Sequence, residues 1–250
     1  GYAMPKEILS DAPGSLVYAQ YEEQDIPAGS LRAKAEYAAP KHGTEMHIFL
    51  GNSSGTPSYY DYDTKCFLPM TQEMLANREP HAFRPGNMWV GRVTQLGEGV
   101  EGFAIGDRVA GYGSLRESHT VPVGREKDPG NGGIWDILRV PEDMDWKACL
   151  MYDPCQFALA GVRDSNLRLG DTVCVTGLGA IGLIAAQMAR LRGAKTVIVS
   201  DPIEKRRKIA LENGADHDID PAHEDAGLRM KELTGGKGVD AVIETSATYP

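Results

Sequence analysis

The chain has 250 residues, 42% of them apolar, and a formal net charge of −9 at pH 7. That is enough for one large or two ordinary domains with buried cores. The acidic balance, with no basic stripe, speaks against a nucleic-acid partner, and no run of about eighteen apolar residues marks a membrane span. Four cysteines stand at 66, 149, 155 and 174, no two of them at the spacing of a zinc knuckle or redox pair, and Cys174 reads as a small core residue. Residues 1–6 lack the apolar centre of a signal peptide, so a cytoplasmic location is the default expectation.

In chain order, residues 16–21, 31–38, 90–96 and 107–110 alternate as β-strands, cut by turns such as Gly97-Glu98-Gly99. They predict a β-rich domain over residues 1–152. An apolar stretch over 146–162 predicts helices leading into a second domain, 153–250. There the pattern becomes strand–helix–strand, the signature of a parallel sheet covered by helices. Strands are expected at 172–176, 196–200, 217–219 and 239–244, with helices starting near Ile181 and spanning 203–213 and 222–233. A six-stranded doubly wound sheet would need two more strands after the fourth, so the chain reads as a fragment whose C-terminal part is missing.

Val175-Thr176-Gly177-Leu178-Gly179-Ala180-Ile181-Gly182 follows the first of these strands and opens a helix. Gly177 permits the tight turn, Gly179 lets backbone approach a pyrophosphate, and Gly182 lets helix and strand pack closely. The helix N-terminus then offers free N–H groups and its positive dipole end to phosphates. Asp201 closes the second strand, nineteen residues after Gly182. Its carboxylate suits the ribose hydroxyls and repels a 2′-phosphate, which favours NAD over NADP. Arg206 and Arg207 keep NADP as the lesser alternative, with Arg206 counted among the cofactor-contacting residues. A glycine turn without ligand is the bland alternative.

Three stretches resemble the medium-chain dehydrogenase/reductase family, the relatives of zinc alcohol and polyol dehydrogenases. Residues 87–109, ending in Gly106-Asp107-Arg108-Val109, are similar to its Gly-Asp-Arg-Val stretch, and residues 169–182 to its approach to the cofactor domain. His42-Gly43-Thr44-Glu45-Met46-His47 lines up with its Cys-Gly-Ser/Thr-Asp-x-His segment. The resemblance implies an α/β protein: an N-terminal β-rich GroES-like catalytic domain followed by a Rossmann-type sheet. It also implies a small-molecule substrate and a homo-oligomer. The zinc ligands of the family align with His42, Asn87, Met88 and Asp153, and the four-cysteine lobe is missing. Amide and thioether are poor zinc donors, so no metal is expected.

On the same resemblance, Thr44 and His47 match the hydroxyl and histidine that pass the alcohol proton outward. His42 is the first candidate to act on the substrate oxygen in place of zinc, because imidazole titrates near neutrality; a hydrogen-bonded loop histidine is the plain alternative. Asp153 would orient His42 or cap the next helix. Glu45 takes the family's acidic position, where a structural ion pair is expected. Asn87 would hydrogen-bond a substrate hydroxyl. The segment 51–86 is longer than the family's spacing, and its Tyr59, Tyr60 and Tyr62 suit either a pocket for a hydroxylated ring or an oligomer-contact loop.

The leading reading is a zinc-independent, NAD-dependent oxidoreductase acting on a secondary alcohol or ketone of a polyol, sugar or similar molecule. Three alternatives stand beside it. One is an NADPH-dependent double-bond or quinone reductase. Another is an enzyme that uses bound NAD transiently for elimination or epimerisation. The third is a non-enzymatic NAD-sensing or scaffold protein.

Overall fold

Strand-forming residues before position 123 pair antiparallel, whereas those after 171 pair parallel, and the computed structural model accordingly divides into two units, Gly1–Leu150 and Met151–Pro250. It describes residues 4–51, 58–61, 63–64, 66–76, 83–123 and 137–246. No helix among them is long and apolar enough to cross a membrane.

The first unit runs β1 (Lys6–Ala12), β2 (Ser15–Gln20), β3 (Ser30–Ala39), α1 (His42–Phe49), β4 (Ser58–Asp61), β5 (Cys66–Pro69), α2 (Gln72–Ala76), β6 (Met88–Leu96), β7 (Arg108–Tyr112), β8 (Ser118–Pro122), β9 (Leu138–Arg139) and α3 (Trp146–Cys149). Five of the strands form one antiparallel sheet in the order β8-β3-β6-β7-β9; β1 with β2 and β4 with β5 form separate pairs. Successive side chains of a strand point to opposite faces, and β6 buries both. Met88 and Val90 join a cluster with Ala110, Val140, Cys149 and Leu150, while Trp89 and Val93 join Leu31, Ala33 and Val109. Two-sided burial explains why 88–93 reads as an apolar run rather than a strict alternation.

The Gly-Asp-Arg-Val stretch is a clamp on the loop that follows the sheet. Arg108, 4% exposed, donates through Nη1 to the carbonyls of Pro141 and Glu142, both at 2.6 Å, and through Nη2 to Met144 O at 2.8 Å. Its guanidinium carbon lies 3.9 Å from the ring centre of Trp146. Asp107 fixes the preceding turn by accepting Ala104 N–H at 3.0 Å. The expected helical stretch 146–162 is two helices, α3 and a longer one in the second unit. The Asp145 side chain caps α3 by accepting Lys147 N–H at 2.7 Å.

The second unit runs α4 (Tyr152–Asp164), β10 (Thr172–Thr176), α5 (Ala180–Leu191), β11 (Thr196–Ser200), α6 (Glu204–Glu212), β12 (His217–Ile219), α7 (Ala226–Leu233) and β13 (Ala241–Glu244). Its four strands are parallel in the order β12-β11-β10-β13. The third, second, first and fourth strands thus lie side by side, and the winding reverses between β10 and β13. In open α/β sheets the ligand crevice lies at such a switch point, beyond the carboxyl ends of the strands. Val173, Val175, Val197 and Val199 face a core completed by Ala185, Ala189 and Leu178. Cys174 faces the other side with Ile198 and Ile219, where burial, helped by the Glu244 charge, pushes its thiol pKa up to about 12. It is the inert core residue the sequence predicts.

His119 is a buried titratable group of the first unit. It stacks on Trp89 with ring centres 4.4 Å apart and planes 2° from parallel, and its Nε2 has no hydrogen-bond partner among the described residues. Burial, and secondarily the Arg116 charge, lower its pKa from 6.5 to about 3. Between those two values the unfolded chain binds more protons than the folded one, so stability rises with pH. The wild type is therefore expected to lose stability, relative to His119→Phe, as pH falls through that window. Urea unfolding of both proteins across the window checks this; parallel curves would refute it.

Candidate functional site

Lys41 N-caps α1, and the helix carries His42, Thr44 and His47, all exposed. Helical geometry puts Thr44 and His47, three residues apart, on one side, and His42 on another. The helix has no buried residue, so packing alone does not hold it. Glu45 does. One of its carboxylate oxygens accepts Lys41 N–H, satisfying the cap, and the other accepts Gly86 N–H at 2.6 Å. Among the described residues Glu45 thus makes two charge-assisted bonds to backbone in place of the expected ion pair. A hydrogen bond to a charged group contributes about 1.5–3 kcal/mol.

The Gly86 bond places α1 beside Asn87. Asn87 donates its N–H to Ala39 O and accepts Gly113 N–H, both at 3.0 Å, so it sits where the end of β3 meets the turn after β7. Met88 is fully buried in its apolar cluster. Its thioether belongs to the core. Tyr59 is half-buried in β4 opposite Leu68. The backbone of Tyr60 pairs with that of Phe67, while its side chain, and Tyr62 altogether, lie outside the described residues. Asp61 closes the hairpin by accepting the Thr64 amide at 2.7 Å and hydroxyl at 2.6 Å, and that hydroxyl above all lowers its pKa. A groove of about 740 Å³ in this unit, lined by Tyr21, Glu22, Glu23, Asp25, Arg32 and Ile105 among others, includes none of the candidate residues.

In the second unit Asp153 is 5% exposed in the first turn of α4, where a negative charge complements the helix dipole. The helix cap is Met151, so Asp153 is not the capping residue.

The glycine turn joins β10 to α5. Gly177 has φ +79°, and a Cβ there would lie 2.5 Å from Ser246 N. A Cβ on Gly182 would lie 1.8 Å from Gly177 O. On Gly179, the uncapped N-cap of α5, a Cβ would meet nothing within 4 Å. The first two glycines are therefore required by the protein's own packing, and the third leaves an open face. The N–H groups of Ala180, Ile181 and Gly182 open the helix, where no intrahelical carbonyl reaches them. Such a surface suits a pyrophosphate. Leu178 differs from its neighbours: its side chain is fully buried and its N–H is already engaged.

The group that engages it is Asp201, 3% exposed. Its Oδ2 accepts Leu178 N–H at 2.7 Å and its Oδ1 accepts Ile203 N–H at 2.8 Å. Arg206, with a side chain 40% exposed, pairs with Oδ2 at 3.5 Å. Arg207 is turned inward: it bonds Asp201 O at 2.7 Å, Asp218 at 2.9 Å and Asp220 at 3.1 Å. Only Arg206 of the two arginines stands where a ligand could meet it. Sequence reasoning missed Thr245, whose hydroxyl donates to Gly177 O at 2.6 Å. Its position directly after the fourth strand, at the switch point, was the available signal.

The steric contrast gives a test that needs no ligand. Gly182→Ala forces backbone apart and is expected to cost about 1–3 kcal/mol, whereas Gly179→Ala is expected to leave thermal stability unchanged. Melting curves of the two variants check this; equal losses would contradict the packing described.

Residues 180–249 match the family model described as zinc-binding dehydrogenase. The chain is 39% identical over 241 residues to the D-guloside 3-dehydrogenase of Escherichia coli K12, covering 96% of this chain and 67% of that protein. It is 32% identical over 187 residues to a sorbitol dehydrogenase of Halalkalibacterium halodurans, covering 66% and 54%. Its fold superposes on 2R,3R-butanediol dehydrogenase from Bacillus subtilis with a TM-score of 0.71 at 23% identity, covering 98% of this chain and 71% of that one. With that breadth of sequence likeness, the chain belongs to the medium-chain dehydrogenase/reductase family and is a dehydrogenase-type oxidoreductase.

Proposed function

We propose that this protein is an NAD-dependent dehydrogenase that oxidises a secondary alcohol of a glycoside or polyol, or reduces the matching ketone, without zinc. The observation that carries the reading is the buried Asp201 carboxylate, fixed at the carboxyl end of β11 by the turn it would serve. An ionised carboxylate has about four acceptor sites, so beside the two amides and Arg206 one would remain for a ribose hydroxyl. A 2′-phosphate would instead meet a buried anion whose nearest inward arginine, Arg207, is committed to Asp218 and Asp220. NAD, once bound, would supply the hydride acceptor.

The aligned zinc positions do not suit the metal. Met88 is sealed in the core and Asn87 offers only an amide, leaving two donors of the right type, His42 and Asp153. Proton handling then falls to side chains. As the hydride leaves the alcohol carbon, the hydroxyl proton must leave the oxygen, and the reading gives Thr44 and His47, exposed on one side of α1, the role of passing it outward. His42 and Asn87 are the groups assigned to the substrate oxygens. A ring alcohol is favoured because the E. coli relative is named for oxidation at C3 of a D-guloside.

Initial rates of NADH formation with glycosides, D-gulosides included, test the proposal. NAD is expected to exceed NADP in kcat/KM at least tenfold, and His47→Ala to lower kcat about 10²-fold, the scale of general acid–base catalysis. Chelators are expected to leave turnover intact. A preference for NADP, or one zinc per chain lost together with activity, overturns the corresponding part.

A further inference from the structure

The carbonyl of Gly177 and the N–H of Leu178 belong to a single peptide unit, and that unit is gripped at both ends. From the second strand, Asp201 Oδ2 takes the Leu178 N–H at 2.7 Å. From the fourth strand, the Thr245 hydroxyl lies 2.6 Å from Gly177 O and 3.0 Å from Thr176 O. A hydroxyl has one proton to donate, and Thr176 O already accepts the Thr245 backbone N–H at 2.8 Å. The shorter contact, to Gly177 O, therefore takes the hydroxyl proton. The same carbonyl lies under the bare Cα of Gly182, and the Thr245 hydroxyl would be 2.7 Å from a Cβ there.

We infer that Thr245 is a positioning residue for the dinucleotide. It fixes the plane of the Gly177–Leu178 peptide and so sets the direction of the N–H groups that follow at Gly179 and Ala180. The inference rests on the reading of this turn as an NAD site. Gly177 at φ +79° has the widest conformational range of any residue type, and nothing in its own side chain resists rotation of the peptide. Asp201 alone holds one end. With the Gly177 carbonyl released, the turn samples other orientations, and the ordering cost moves from folding to cofactor binding. Thr245→Val keeps the shape and removes the donor; Thr245→Ser keeps the donor.

Three readouts on the purified full chain decide it. Fluorescence titration with NADH is expected to show binding about tenfold weaker in Thr245→Val and near wild type in Thr245→Ser, as loss of one hydrogen bond implies. The KM for NAD is expected to rise by the same factor with kcat unchanged. Hydrogen exchange of the Leu178 amide without cofactor is expected to quicken about tenfold in Thr245→Val only. Wild-type protein that binds neither NADH nor NADPH overturns the NAD reading. Wild-type binding that Thr245→Val retains undiminished, or a Leu178 amide that exchanges no faster in that variant, overturns the role of Thr245. Failure of Thr245→Val to fold while Thr245→Ser folds normally makes the residue structural and likewise overturns it.

Discussion

A buried carboxylate that reads backbone, at Asp201, is what the dinucleotide-type unit depends on. Its two oxygens hold the amides of Leu178 and Ile203, its N–H reaches Ile219 O at 3.3 Å, and its carbonyl receives Arg207 at 2.7 Å. The glycine turn and the ends of β11 and β12 thus meet at one residue. Burying an anion this deeply is costly unless hydrogen bonds replace its water. Here two amides do so, and the Arg206 guanidinium pairs with the charge at 3.5 Å. Arg207 extends the tie by bonding Asp218 in β12 and Asp220 beyond it.

The β-rich unit solves the same problem with the same chemistry. Helix α1 has no apolar face to bury, yet Glu45 fastens it at Lys41 and at Gly86. Arg108 does the reverse with donors, gathering three carbonyls of the loop that leads to α3. Segments that present polar side chains outward cannot be secured by burying those side chains. Charged groups that bind the backbone hold them instead, leaving Thr44, His47 and His42 exposed on an anchored support.

This arrangement explains what could be read from the sequence and what could not. The strands at 172–176 and 196–200 were legible because apolar, β-branched runs translate directly into buried parallel strands, whereas the short strand at 217–219 buries only Ile219. The parallel-sheet class followed from the glycine turn in that context, and the family from that turn together with the stretches 42–47 and 87–109 of the β-rich unit. Helix α1 gave no periodic signal, since its stability comes from Glu45 rather than from a hydrophobic face. Leu178 was legible as part of the turn but not as a core residue, because its burial depends on tertiary packing against the parallel sheet. Thr245 was hidden for a similar reason. A threonine after a strand is ordinary in sequence, and only the parallel pairing of β10 with β13 brings it to Gly177.

On the proposed reading, Asp201 would also link cofactor choice to the integrity of the turn. The carboxylate that would repel a 2′-phosphate is the one that positions Leu178, so the two roles cannot be separated by removing it. A neutral residue too short to reach the Leu178 amide would relieve the charge and release the peptide at the same time, leaving Thr245 as its remaining grip. Arg206 is the separable element: half-exposed at the rim, it balances the Asp201 charge without touching the turn. On the proposed reading, selectivity between the two dinucleotides would therefore be tuned with least structural cost at Arg206, in the first turn of α6, rather than at the strand end that anchors the loop.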